Sequence, residues 1–213
     1  MKTLFTLAVL ALSPLCIAQK TVDLKDFKNV AAGSDTHVTL IKSNENKVVF
    51  IGDEEEMEVS NEGGNLTLGG EGTYTVYYKG TLEAIAAGSD SKVMSNDEIK
   101  GKDFSLAAGS DSEVELKINV TTLHTAASSD AQVTLTGKAK KHEAAISSDA
   151  KLDAEGLDTE DTDITVASDA EAVITAKGTV NAVANSDGEL KIYGKPKKVN
   201  ETKSGDGEIT VVN

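Results

Sequence analysis

The amino-acid sequence predicts an all-β chain, a single-domain right-handed parallel β-helix (a solenoid) with coils of about 19 residues. Three observations predict it. First, one decapeptide recurs: AAGSDTHVTL at 31–40, AAGSDSKVMS at 86–95, AAGSDSEVEL at 107–116 and AASSDAQVTL at 126–135. Degenerate copies follow at 145–154, 166–175, 183–192 and 203–212. The aspartates of the eight copies are separated by 55, 21, 19, 19, 20, 18 and 19 residues, and a period this steady marks stacked repeats. Second, apolar residues alternate on both sides of the Ser-Asp pair: Phe104, Leu106 and Ala108 before it, Val114 and Leu116 after it. Period two is the strand period. Third, aromatic residues are 4% of the chain and Trp is absent, so Val, Ile, Leu and Ala must fill a thin, regular core.

From the N-terminus, residues 1–18 read as a cleaved secretory signal. Lys2 supplies the positive start, Leu4 to Leu12 the apolar run, and Cys16-Ile17-Ala18 the small residues before a cut at Gln19. Lipidation at Cys16 is the alternative, but Pro14 and Leu15 fit badly where a lipobox requires small residues. After cleavage at Ala18 no cysteine remains, so the fold needs no disulfide. Residues 19–213 then form the solenoid. No further apolar run reaches the ~20 residues of a membrane helix.

The interval between Asp35 and Asp90 is close to three coils and contains strand-like runs at 47–51, 57–60, 65–68 and 73–78. It is expected to continue the solenoid with an altered turn and an acidic loop at 53–56; a separate β layer capping the end is the alternative. From Asp90 onward each coil reads strand, Gly/Ser/Asp turn, strand, and a second turn marked by Gly137, Gly156, Gly178 or Gly194. Each coil rises by one strand spacing, roughly 4.8 Å. Val114, Val133 and Leu152 should therefore stack. An apolar residue at every sixth position, the sign of the left-handed form, is missing, which favours the right-handed one.

The formal net charge is −14 and all 21 basic residues are lysine. Phosphate backbones would meet a repulsive surface without guanidinium forks, so nucleic acid is excluded as a partner.

The repeat turns are the sharpest candidate site: Ser34-Asp35, Ser89-Asp90, Ser110-Asp111, Ser129-Asp130, Ser148-Asp149, Ser168-Asp169, Ser186-Asp187 and Asp206. Stacked aspartates about 5 Å apart repel by about 0.9 kcal/mol per contact in water. Two readings offset this. Ser and Asp side chains can cap the backbone of their own turn, or a row of Ca²⁺ ions can sit along Asp111, Asp130 and Asp149. One carboxylate per turn, at a period far from the nine residues of calcium-binding solenoids, favours capping. The acidic runs 53–56 and Asp158, Glu160, Asp161, Asp163 read as solvated loops. His37, His124 and His142 lack metal-ligand spacing, although His124 and His142 lie nearly one coil apart. No cofactor is expected, and eight near-identical Ser-Asp pairs are architecture rather than a nucleophile.

These turns resemble the GIN domain, the head-domain family of autotransporter adhesins. Supporting segments are Asp26-Phe27-Lys28-Asn29-Val30 before the first repeat, Tyr74-Thr75-Val76-Tyr77-Tyr78 followed by Leu82-Glu83-Ala84-Ile85, and Tyr193-Gly194-Lys195-Pro196 before the last turn. The resemblance spans the chain from 19 onward. It implies an exported β-helical protein and supplies no catalytic residues. No C-terminal barrel translocator is expected, since the last repeat runs to 212.

The expected function is a non-enzymatic protein of the periplasm or outer cell surface, presenting repetitive β-faces to a glycan or protein partner. The alternative is a β-helix polysaccharide hydrolase or lyase. A lyase needs cationic groups at the uronate, and a hydrolase needs a close carboxylate pair in a groove with aromatics. Tyr74, Tyr77, Tyr78 and Tyr193 are the tyrosines that could serve there.

Overall fold

The computed structural model describes residues 19–212, so the expected signal segment 1–18, with Cys16, lies outside the described residues. Eighteen strands, and no helix among the described residues, form one continuous sheet. The strands of the argument are β1 (19–23), β2 (29–32), β3 (36–42), β4 (47–51), β5 (58–62), β6 (65–69), β7 (72–78), β8 (84–87), β9 (92–100), β10 (103–108), β11 (113–127), β12 (132–147), β13 (151–167), β14 (171–176), β15 (179–185), β16 (189–193), β17 (198–204) and β18 (208–211).

The ladder is parallel from β8 to the end, as the repeat requires. Asp103 pairs with Thr122, Thr122 with Lys141 and Thr179 with Lys198, register steps that equal the spacings of the Ser-Asp turns. Two faces result. Before the turn, β6, β2, β8, β10 and the second halves of β11, β12 and β13 stack with β15 and β17. After it, β7, β3, β9 and the first halves of the long strands stack with β14, β16 and β18. Inward residues form ladders between the faces; Val114, Val133 and Leu152 are each buried and in register. The step between Asp130 and Asp149 is 19 and the next is 20, and the extra residue is taken up where β12 meets β13: Thr134 pairs with Asp153 but Gly137 with Leu157, a register shift that bulges β13 between them.

The turns are held by the main chain. In each of the copies at 110, 129, 148, 168 and 186, Ser and Asp both have positive φ, as Ser110 (48°) and Asp111 (62°) do. This is the requirement of a type I′ turn. Only Asp among the two is left-handed in the first copies, at Asp35 and Asp90. Successive turns are tied to each other: Asp90 N–H donates to Ser110 O at 2.9 Å, Asp111 to Ser129 at 2.9 Å and Asp130 to Ser148 at 3.0 Å. The side-chain bonds to the turn come from the following residue instead, Thr36 Oγ1 to Gly33 O (2.9 Å) and Ser91 Oγ to Gly88 O (2.7 Å). Asp is therefore favoured here because it tolerates the left-handed region. Asp111→Asn should leave the melting temperature unchanged or slightly raised, since one like charge leaves the column. Asp111→Val should cost about 2 kcal/mol, because a β-branched residue is strained there. Thermal melts of both variants check this.

The interval 43–78 departs from the expectation of coils added in chain order. Its strand runs exist, but β2 lies between β6 and β8, and β3 between β7 and β9. The 55-residue gap thus spans a single axial step. The chain leaves β3 and reverses at 43–46, where Ser43 N–H is bonded to Tyr78 O. It then lays β4 antiparallel to both β7 and β1, and β5 antiparallel to β6. The physical reason is that each strand has two edges. β8 and β9 occupy one edge of the first coil, so the intervening chain covers the other. Val48 and Phe50 are fully buried, and Phe50 packs on Tyr74 with ring centroids 4.8 Å apart. The N-terminal end of the core is closed in this way.

Candidate functional site

Alternation along the pre-turn strands sends the second alanine of each AAG or AAS inward and the first outward. Ala31, Ala86, Ala107, Ala126 and Ala145 are in register on adjacent strands, forming a methyl strip on the outer surface, continued by Thr165 and Val183. Beside it, two residues earlier, runs a ladder that is polar except at Ala84: Asn65, Asn29, Ala84, Ser105, His124, Glu143, Asp163 and Asn181. The two ladders line an open groove of about 750 Å³ that crosses the strands. Seven strand steps separate Asn65 from Asn181, about 34 Å at the usual interstrand spacing. Because small side chains stand on a hydrogen-bonded floor, a partner can approach close to the backbone all along it.

The polar ladder is internally bonded. Asn29 Nδ2 donates to Asn65 Oδ1 (2.8 Å) at one end, and Asn200 Nδ2 to Asn181 Oδ1 (2.7 Å) at the other. At the centre, His124 Nδ1 lies 3.0 Å from Glu143 Oε2, and Lys141 Nζ lies 2.5 Å from Glu143 and 3.3 Å from Asp163. Asn181 Nδ2 donates to Asp163 Oδ1 at 2.5 Å. Lys141 holds Glu143 below the usual carboxylate range; Asn181, then Lys141, does the same for Asp163. Both carboxylates in turn raise Lys141. The cluster is a row of fixed charges at neutral pH, with neither carboxyl kept protonated as a general acid must be.

Directly beneath lies a small cluster of buried polar side chains in the core. His142 is fully buried, with Nε2 3.0 Å from Thr125 Oγ1 and Nδ1 without a partner. Thr162, next in its ladder, bonds to Thr159 at 2.8 Å. Burial, and secondarily the positive charge His124 can carry, push His142 down to about 4. The unfolded chain, with an ordinary histidine near 6.5, binds the proton first. Stability should therefore be full above about pH 6.5 and fall by about 3 kcal/mol as pH drops through the window to about 4. Calorimetric melts across that window should show the loss in the wild type and its absence in His142→Leu. The salt-bridged carboxylates lose their pairing only at lower pH, below their own ordinary values.

The other expected candidates are placed as follows. Asp35, Asp90, Asp111, Asp130, Asp149, Asp169, Asp187 and Asp206 form one exposed corner column, one carboxylate per coil. Among the described residues no group of three or more His, Cys, Asp or Glu is disposed to hold a metal ion. The run 53–56 is an exposed turn in which Glu55 N–H donates to Asp53 Oδ1 (3.0 Å). The other acidic run divides: Asp158 pairs with Lys177 at 2.9 Å, Asp161 accepts the Thr179 N–H, and Asp163 turns into the groove. His124 and His142 are one coil apart but one residue out of register, His142 facing Leu123, so they point to opposite sides of the sheet. His37 is exposed on the post-turn face. None of the four tyrosines lines the groove; Tyr74 and Tyr78 are core residues, and burial, then Asp97, pushes Tyr78 up to about 12.

Sequence reasoning did not single out the alanine strip or the His124, Glu143, Asp163 row. Both were findable, because the period-two rule puts the first alanine of the motif outside, and coil spacings of 19 and 20 residues align the three polar residues.

No curated protein matches the chain. Among solved structures, "a putative adhesin" from Bacteroides fragilis has a TM-score of 0.83 at 16% identity, covering 92% of this chain and 96% of that one. "A putative adhesin" from Parabacteroides merdae has a TM-score of 0.74 at 16% identity, with the same coverage of 92% and 96%. A "putative lipid binding protein" from Parabacteroides distasonis has a TM-score of 0.70 at 15% identity, again over 92% and 96%. At these identities the likeness establishes the fold. A family model described as "Putative auto-transporter adhesin, head GIN domain" matches residues 26–196, a span that holds every turn from Asp35 to Asp187 and the whole alanine strip, and the chain belongs to that family.

Proposed function

We propose that this chain is an exported, non-enzymatic binding protein of the cell envelope, located in the periplasm or on the outer surface, that presents its pre-turn face to a glycan or protein partner. The observation that carries the reading is the continuous groove of about 34 Å, floored by five stacked alanines over about 19 Å of it, with a largely polar ladder in step beside them. Such a surface repeats one weak contact many times, which multiplies affinity for a long or repeating partner. The family description and the adhesin neighbours support binding as the role. No helix among the described residues is long and apolar enough to cross a membrane.

The polysaccharide-active alternative has less to rest on. The adjacent carboxylates of the groove, Glu143 and Asp163, are both paired with Lys141, and aromatic platforms are absent from the lining. Two experiments test the proposal. Purified chain 19–213 incubated with a panel of neutral and uronate polysaccharides should release no reducing ends and no unsaturated product; turnover on any of them would replace binding with catalysis. Fractionation of cells making the full chain should place a form beginning at Gln19 outside the cytoplasm. Recovery of intact chain from the cytoplasm alone would remove export.

A further inference from the structure

The two ends of the solenoid are closed by different means, and the C-terminal one bears on self-association. The N-terminal end carries the folded-back strands β1, β4 and β5. At the other end β17 pairs with β15 and β18 with β16, and no further strand lies beyond them among the described residues. Parallel strands with a free edge are templates for another chain.

Register shows what stands there. Ala182 pairs with Glu201 and Ala184 with Lys203. Both alanines point into the core and are buried; one coil earlier the same positions hold buried Ile164 and Val166. In the terminal coil, then, the two inward sites of β17 are occupied by opposite charges. Their ammonium and carboxylate lie 3.3 Å apart, and Lys203 Nζ crosses to the facing strand and donates to Ile209 O at 3.1 Å. The side chains are only 42% and 36% exposed, so their stems rest on the end of the core. The preceding coil has alanine at both positions, which leaves room for those stems. A large aliphatic pair there would leave less.

We propose that Glu201 and Lys203 form an end cap that seals the core and prevents the C-terminal coil from joining the end of a second copy of this chain. Stacking another coil on β17 would bury both charges under it without water, and charges taken out of water are repaid only where their geometry and further hydrogen bonds are excellent. Replacing them with the aliphatic residues of the earlier coil removes that barrier and leaves a free parallel edge over an apolar row.

The test compares wild-type chain 19–213 with E201I/K203V and with the charge-swapped E201K/K203E, by sedimentation velocity over a wide concentration range. Hydrogen exchange of the β17 amides is measured in the same samples. The expected result is self-association of E201I/K203V at a concentration at least tenfold below any shown by the other two, with β17 amides becoming protected in the associated form. The milder E201A/K203A, which repeats the alanines of the coil before, should behave in the same direction and serves if the aliphatic variant does not fold. Identical sedimentation of folded wild-type and aliphatic or alanine variants would overturn the proposal. So would association that leaves the β17 amides unprotected, or equal association of the charge-swapped form.

Discussion

Replacing Gly137 with valine should unfold the central coils. Gly137 sits where β12 bends at the second corner, with φ of 108°, a conformation that L side chains rarely adopt. A Cβ built there would lie 2.1 Å from Ile118 O and 3.1 Å from Ile118 N, main-chain atoms of the preceding coil that cannot rotate away. Relief requires coils β11 and β12 to separate, which breaks the pairing of Ile118 with Gly137 and the stacking of Ile118, fully buried, in the interior. Strained backbone and lost packing together should cost about 3–5 kcal/mol, a large share of the stability of a domain this size. Gly137→Ala should cost nearly as much, since the clash is with the first side-chain carbon. Chemical denaturation of both variants reads the effect; a midpoint within error of the wild type would mean that the coil contact at Ile118 is not as close as described.

Excision of one full coil should be tolerated, while excision of half a coil should not. Residues 132–150 span one register step: Gln132 pairs with Lys151, so joining Ala131 to Lys151 keeps every later residue in phase. Ala131 and Ala150 are both completely buried at the same place after the turn, so the new junction reproduces a native one. β11 would then pair with β13, and the core ladder would pass from Val114 to Leu152. In a solenoid each coil touches only its neighbours, and stability is close to a sum of coil and interface contributions. The shortened chain should melt cooperatively, a few degrees lower. Removing 132–141 instead should abolish the β-sheet circular dichroism, because the half-coil step sets post-turn residues against pre-turn ones. The full-coil excision 132–150 also deletes His142, so the acid-sensitive limb of stability should vanish in that shortened chain.

Much of the fold was legible in the sequence because a solenoid is a local code repeated. The Ser-Asp spacing fixed coil length, and alternation around Leu106 and Val114 fixed which side faces inward. The 43–78 excursion was not legible. Val48, Phe50, Leu66 and Leu68 alternate as any coil strand would, and nothing in that pattern says which free edge of β2 and β3 the chain will take. That choice depends on β8 and β9, which come later. The groove was half legible. Its alanines are in the motif itself, yet a conserved spacing in a repeat reads first as core, and the outward member of each alanine pair becomes visible only once faces are assigned. The turn aspartates drew attention for chemistry, whereas their left-handed backbone and the main-chain bonds between turns account for their presence.

The central claim is that the alanine-floored face is the binding surface. Glycan-array binding and binding to purified envelope proteins should be measured with chain 19–213 and with A107E/A126E, whose substitutions are exposed and outward and leave the core untouched. The expected result is binding by the wild type that falls at least tenfold in the variant at an unchanged melting temperature. Equal binding by the two, or no binding by the wild type to any member of either panel, would contradict it.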